Sequence, residues 1–124
     1  MLCQAYLIRI KNHWRVLKEV MAVEPTPINK DSAIQRFELT YELAWKSTKA
    51  YLLREKDVIA PTPRDSFLEA FRARIIKDNP GWIKMGRDRN ITSHTYDENI
   101  ADKVYENIKG YIVLFEELKN AIEK

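Results

Sequence analysis

Apolar side chains recur at spacings of three and four along nearly the whole of this 124-residue chain, a period that belongs to helices and not to strands. In the first segment Leu2, Tyr6, Ile10, Trp14, Leu17 and Met21 share one helical face, and EPTP at 24–27 ends it. Ser32 with Gln35 makes a capping-box pattern that opens the next stripe: Ile34, Phe37, Tyr41, Ala44, Thr48 and Leu52, flanked by Trp45 and reaching about residue 56. Thr62, Pro63 and Asp65 supply a hydroxyl cap, a first-turn proline and an early acid for a shorter helix, with Phe67, Phe71 and Ile75 inward. Asn79 and Pro80 open another, which carries Trp82 and Met85 toward Arg89. Thr95 with Glu98 forms a second capping box, followed by Ile100, Val104, Ile108, Tyr111, Phe115, Leu118 and Ile122. Three long helices and two short ones predict an all-α fold, an antiparallel up-and-down bundle of four to five helices forming one domain over 1–124.

The charge balance, 21 basic against 18 acidic side chains for a net +3, permits a nucleic-acid partner without requiring one. It is clustered, however: between residues 72 and 89, Arg72, Arg74, Lys77, Lys84, Arg87 and Arg89 face only Asp78 and Asp88, which makes a candidate anion-binding surface. A single cysteine, Cys3, excludes an intrachain disulfide and a cysteine-based zinc site, as expected of a reducing compartment. The opening MLCQAYLIRIKNH lacks the pattern of a secretory signal, and the longest later apolar run is Ile112–Phe115. The expectation is a soluble cytoplasmic protein with no membrane span. Glycine-rich phosphate loops, the Gly-Ser and paired-aspartate pattern of nucleotidyltransferases and nucleophilic-serine constellations are all missing, so the chain is not itself a nucleotidyltransferase. Glu38 and Glu42 lie one turn apart, but a bundle di-metal site needs Glu-x-x-His pairs that the sequence lacks. Pairing of Glu42 with Lys46 on a solvated face fits better, and no cofactor or metal is expected. Trp14, Trp45 and Trp82 sit on or beside apolar stripes and read as core or dimer interface before base-stacking platforms.

The stretch RNITSHTYDEN at 89–99 gathers an arginine, a histidine, two hydroxyls, a phenol and two carboxylates. On a continuous helix, positions five apart differ by roughly 140° around the axis, so Arg89 and His94 can address one small ligand only across a break. The Thr95 capping box provides that break. It leaves Arg89 in the last turn of one helix and His94 just before the next, whose N-terminal N–H groups and dipole favour a phosphate beside an arginine fork. Asp97 and Glu98 suit the cap and the dipole better than they suit a metal. Spacing by itself leaves a plainer reading open and even favours it: Arg89 pairing with Asp88 or Glu98, and His94 as a polar loop residue. His13, in the first helix, reads as a packing or surface residue.

Three ordered segments change that balance. IQRFELTYELAWKSTKAYL (34–52), TPRDSFLEAFRARII (62–76) and RNITSHTYDE (89–98) together resemble the HEPN proteins encoded beside minimal nucleotidyltransferases, also described as nucleotidyltransferase substrate-binding proteins. The resemblance spans roughly residues 31–110, the first helix matches weakly, and Gly86 stands where a larger apolar residue is expected. It implies a helical bundle that forms a homodimer or higher oligomer, with R-x4-H as a ribonuclease signature that Arg89 and His94 fit. Asn90 fits the polar residue after the arginine, and Arg87 and Lys84 lie on the approach for RNA phosphate. Tyr96 completes R-x4-H-x-Y, and the resemblance makes it the residue nucleotidylated by a cognate minimal nucleotidyltransferase; by position alone it reads equally as a ring packed at the entry of the last helix. Two functions from different classes follow: a metal-independent RNase toxin silenced by its partner, or a non-catalytic subunit that binds substrate or nucleotide for that partner. The intact Arg89, His94 and Tyr96 favour the first.

Overall fold

A computed structural model describes residues 2–94 and 97–123, and the side chains of these from Ala5 onward except that of His94. The described residues form helices α1 (Leu2–Ala22), α2 (Pro27–Lys56), α3 (Pro63–Arg72), α4 (Gly81–Ile91) and α5 (Glu98–Glu123), with one 3-10 turn at Thr92–His94 between the last two. The fold is the all-α bundle that the periodicity predicts.

The long helices α1, α2 and α5 make the core. Along α2, Ile34, Phe37, Tyr41, Ala44, Thr48 and Leu52 are all buried, and along α5 so are Val104, Ile108, Tyr111, Phe115, Leu118 and Ile122. The ring of Phe37 stacks on Tyr111 at 5.5 Å between centroids and meets Phe115 at 6.3 Å, while Lys30 pairs with Asp102 farther toward the helix starts. These contacts run in step, so α2 and α5 are parallel. By contrast Arg36 meets His13 at 2.7 Å and Lys11 pairs with Glu123, which sets α1 antiparallel to both. Trp14 is half-buried between these helices and donates from Nε1 to the carbonyl of Ile112 at 3.1 Å. The two short helices fill the remaining side, α3 against α2 and α4 against α5.

Local chemistry sets the ends, and in four places it departs from the sequence reading. The second helix begins at Pro27, not at the Ser32 capping pattern: the Thr26 hydroxyl accepts from the N–H of Asn29 at 3.2 Å and Pro27 takes the first turn. Thr62 and Pro63 do the same for α3, as predicted, with the N–H of Asp65 at 3.1 Å. Phe71 does not point inward. The chain leaves α3 through Arg74 in the left-handed region (φ 61°), which turns Ile76 into the core and leaves Phe71 43% exposed. The last helix begins at Glu98. Its cap is Asp97, whose carboxylate accepts from the N–H of Asn99 at 2.9 Å and whose carbonyl accepts from Ala101 at 3.0 Å. The proposed cap Thr95 and Tyr96 itself lie outside the described residues. Finally, a Cβ at Gly86 would stand 3.2 Å from the Tyr41 hydroxyl, a close contact to which the Tyr41 side chain would have to yield by a few tenths of an ångström.

Candidate functional site

Helix α4 has two working faces, because successive residues point about 100° apart around the axis. One face turns to α5. Asp88, only 6% exposed, accepts from Nδ2 of Asn107 at 2.9 Å and from the Tyr111 hydroxyl at 2.5 Å. Burial first, and then the bond to the Asp88 carboxylate, push the Tyr111 phenol far above its ordinary pKa, so it serves as a fixed donor. With Trp82 and Met85 buried, these bonds pin the helix to the bundle.

The other face opens on a groove of about 860 Å³ bounded by α2, α3, residues 76–79 and α4. Arg87, Arg89 and Asn90 stand along its α4 wall, and Arg64 and Lys77 reach it from the opposite side. Lys84 does not join them. It is exposed one turn before Asp88, on the α5 side of the helix. The predicted basic surface is therefore divided: Arg72 is engaged by Glu69 at 2.8 Å, while Lys77, Arg87 and Arg89 share the groove.

Arg89 sits in the last turn of α4, as its position before the break requires. Its backbone carbonyl accepts from the Thr92 hydroxyl at 2.7 Å and from the Thr92 N–H, bonds that close the helix and start the 3-10 turn carrying His94. Its guanidinium pairs with neither Asp88 nor Glu98. Nη2 lies 3.6 Å from Oε1 of Glu42 on α2, and Nε is buried with no hydrogen-bond partner among the described residues. Glu42 is itself held: Oε2 accepts from Nε1 of Trp45 at 3.2 Å and lies 3.6 Å from Nζ of Lys46. The predicted Glu42–Lys46 pair is thus present, and beside it stands a contact that sequence reasoning missed, between residues on two different helices. Burial first, then the Glu42 carboxylate, raise the pKa of the adjacent Tyr41 phenol, with Arg89 pulling the other way.

One expectation about anion binding is modified. The N-terminus of α5 is not an open anion site, since Asp97 already caps the N–H of Asn99. No group of three or more potential metal ligands occurs among the described residues. The site thus consists of an arginine fork at the end of a cationic groove, followed at once by the turn that carries His94; the His94 side chain and Tyr96 lie outside what is described.

Comparison with known proteins agrees with this architecture. A Thermus thermophilus protein of known crystal structure superposes with a TM-score of 0.89 at 29% identity, over 93% of this chain and 99% of that one. A Haemophilus influenzae structure, described as revealing the fold of a substrate-binding domain of a nucleotidyltransferase, gives 0.82 at 28% identity over 95% and 99%. A curated Haemophilus influenzae protein, described as a probable ribonuclease HepT, is 39% identical over 85 residues, which are 65% of this chain. The match spans 58% of that relative's length. The family model described as nucleotidyltransferase substrate binding protein like matches residues 7–124, nearly the whole chain, which therefore belongs to that family.

Proposed function

We propose that this protein is a HEPN-type endoribonuclease, the toxin of a toxin–antitoxin pair, which cuts RNA without a metal and is silenced when a partner minimal nucleotidyltransferase modifies Tyr96. The observation that carries the reading is Arg89, set at the end of a cationic groove and followed directly by the turn bearing His94. Cleavage requires a base to take the 2′-hydroxyl proton, a cation on the phosphorane as charge develops, and an acid to protonate the departing 5′-oxygen. The 2′-oxygen attacks phosphorus, the P–O5′ bond breaks, and a 2′,3′-cyclic phosphate and a 5′-hydroxyl result. Arg89 supplies the cation and His94 a proton-transfer group. His13 is occupied with Arg36, so the second imidazole comes from His94 of another copy, in a homodimer that brings two motifs to one cleft. Arg87 and Asn90 hold the RNA along the groove, Lys84 adds charge outside it, and the enzyme works in the cytoplasm. No described helix is long and apolar enough to cross a membrane.

Purified protein incubated with RNA and EDTA tests the reading. Cleavage should persist under chelation and fall by ~10² or more in His94→Ala and in Arg89→Ala. Incubation with the partner and ATP should add AMP-sized mass to the wild type and none to Tyr96→Phe, which keeps its ribonuclease activity. Cleavage that survives both substitutions and stops with EDTA would falsify the assignment. The other reading, a non-catalytic subunit that binds substrate or nucleotide for the transferase, draws on the family description and on that of the Haemophilus influenzae structure. It predicts no cleavage of any RNA while the complex with the partner forms normally.

A further inference from the structure

The groove beside Arg89 has a second half that phosphate chemistry does not explain. Away from the arginine its walls are apolar and open: Phe71 is 43% exposed, Leu68 41% and Ile83 66%, and all three line the same cleft. Large side chains gathered in one concavity mark a binding surface more than scattered exposure does. Trp82, 95% buried, lines the cleft as well. Around this apolar wall stand Arg64, Lys77 and Arg87; the acids on the lining are Asp78 and the already engaged Glu42.

We propose that this half of the groove is a base-binding subsite, which takes the unpaired nucleobase next to the scissile phosphate of an RNA strand and stacks it on Phe71. The proposal rests on the ribonuclease reading for its orientation. The occupant follows from two features found together. An apolar wall suits a base face, and a cationic rim suits the phosphates on either side. A peptide would match the wall without needing the cations. The volume, about 860 Å³, falls within the usual range of small-ligand clefts, about 300–1,000 Å³. Ile83 and Asn90 lie seven residues apart on α4, roughly 10 Å along the axis, so a base at the wall and a phosphate at Arg89 belong to one short stretch of strand. A paired base stays inside its helix and cannot reach the wall, so the subsite selects single-stranded RNA.

The test is binding of a 2′-O-methylated oligouridylate of about eight residues, which cannot be cut through the 2′-oxygen, measured by fluorescence anisotropy. Phe71→Ala should weaken binding by roughly 5- to 100-fold, the loss expected for one stacked base, and Phe71→Trp should restore it. An oligomer of the same length made abasic should bind wild type and Phe71→Ala alike. Phe71 is already well exposed, and matching thermal melts confirm that the variants are folded. The measurement needs no turnover: Phe71-dependent binding without cleavage by any preparation would remove the ribonuclease reading and leave the subsite standing. Cleavage with Phe71→Ala binding unchanged would overturn the subsite alone. So would a Phe71→Ala effect confined to the sedimentation coefficient, which would make the groove a contact between copies of the chain.

Discussion

Removing the Asp88 carboxylate should reveal how the end of α4 is held. The group is 6% exposed and accepts two hydrogen bonds, from Asn107 at 2.9 Å and from the buried Tyr111 hydroxyl at 2.5 Å. Bonds to an ionised acceptor contribute about 1.5–3 kcal/mol each, and a buried hydroxyl left unpartnered costs about 1–3 kcal/mol. Relief of the charge's own desolvation offsets part of this. The balance for Asp88→Ala is a loss of about 2–4 kcal/mol. In a chain of this length each kcal/mol moves Tm by about 3–5 °C, so the melting temperature should fall by roughly 10 °C. Tyr111→Phe deletes one of the two bonds and should cost about 1–2 kcal/mol. The double variant should be less destabilised than the sum of the singles, because both remove the same bond. Urea unfolding followed by tryptophan fluorescence measures all three differences at constant m. An Asp88→Ala cost below about 1 kcal/mol, or strict additivity with Tyr111→Phe, refutes the reasoning.

Two further outcomes follow from contacts between helices. Glu42→Gln keeps the shape of the side chain facing Arg89 but removes the charge, so kcat for RNA cleavage should drop roughly tenfold as the guanidinium loses its orientation. KM should not rise, since a carboxylate near the phosphate is removed as well; a higher KM with intact kcat would assign Glu42 to substrate binding. His13 has its pKa lowered in the folded protein, first by burial and then by Arg36. The unfolded chain therefore binds this proton more readily, and the stabilisation is fully present above about pH 6.5 and lost as pH falls through that value toward the folded pKa. Urea midpoints should decline more steeply between about pH 7.5 and 5.5 in the wild type than in His13→Gln, and equal slopes would count against it.

The parts of this fold that the sequence announces are those fixed by neighbours within one helix. The stripe from Ile34 to Leu52 is legible because α2 buries one face along most of its length, and Thr62–Pro63 is legible because a hydroxyl cap and a fixed proline φ act within four residues. The same chemistry at Thr26–Pro27 is obscured, because EPTP also serves as the stop of the preceding helix, and a stop and a start overlap in four residues. Phe71 is misplaced by periodicity for another reason. Its spacing from Phe67 is right for a helix, but Arg74 adopts a left-handed turn that few L residues favour, and the core position passes to Ile76. The Glu42–Arg89 contact joins residues 47 apart on different helices, and no local pattern encodes it. The R-x4-H motif is visible in the sequence; the groove it borders is assembled by four separate segments and is visible only in the fold.

The adjacent pair Asp88 and Arg89 faces two ways from one short helix, the acid toward the bundle and the base toward the groove. Neither side chain satisfies the other. The acid is spent on α5 and the base faces α2 and the groove, which is possible because neighbours on a helix diverge by about 100°. Had Asp88 instead neutralised Arg89, the fork would meet an incoming phosphate with its charge already cancelled by a carboxylate one residue away. Turning the acid inward costs desolvation, which the Tyr111 and Asn107 donors offset. It leaves Arg89 beside Glu42 at 3.6 Å, beyond a strong charge-assisted bond, so that the carboxylate can orient the guanidinium without using up its donors. An 11-residue helix with three buried side chains has little packing of its own, so the bonds that stabilise α4 on the bundle are the same ones that aim Arg89.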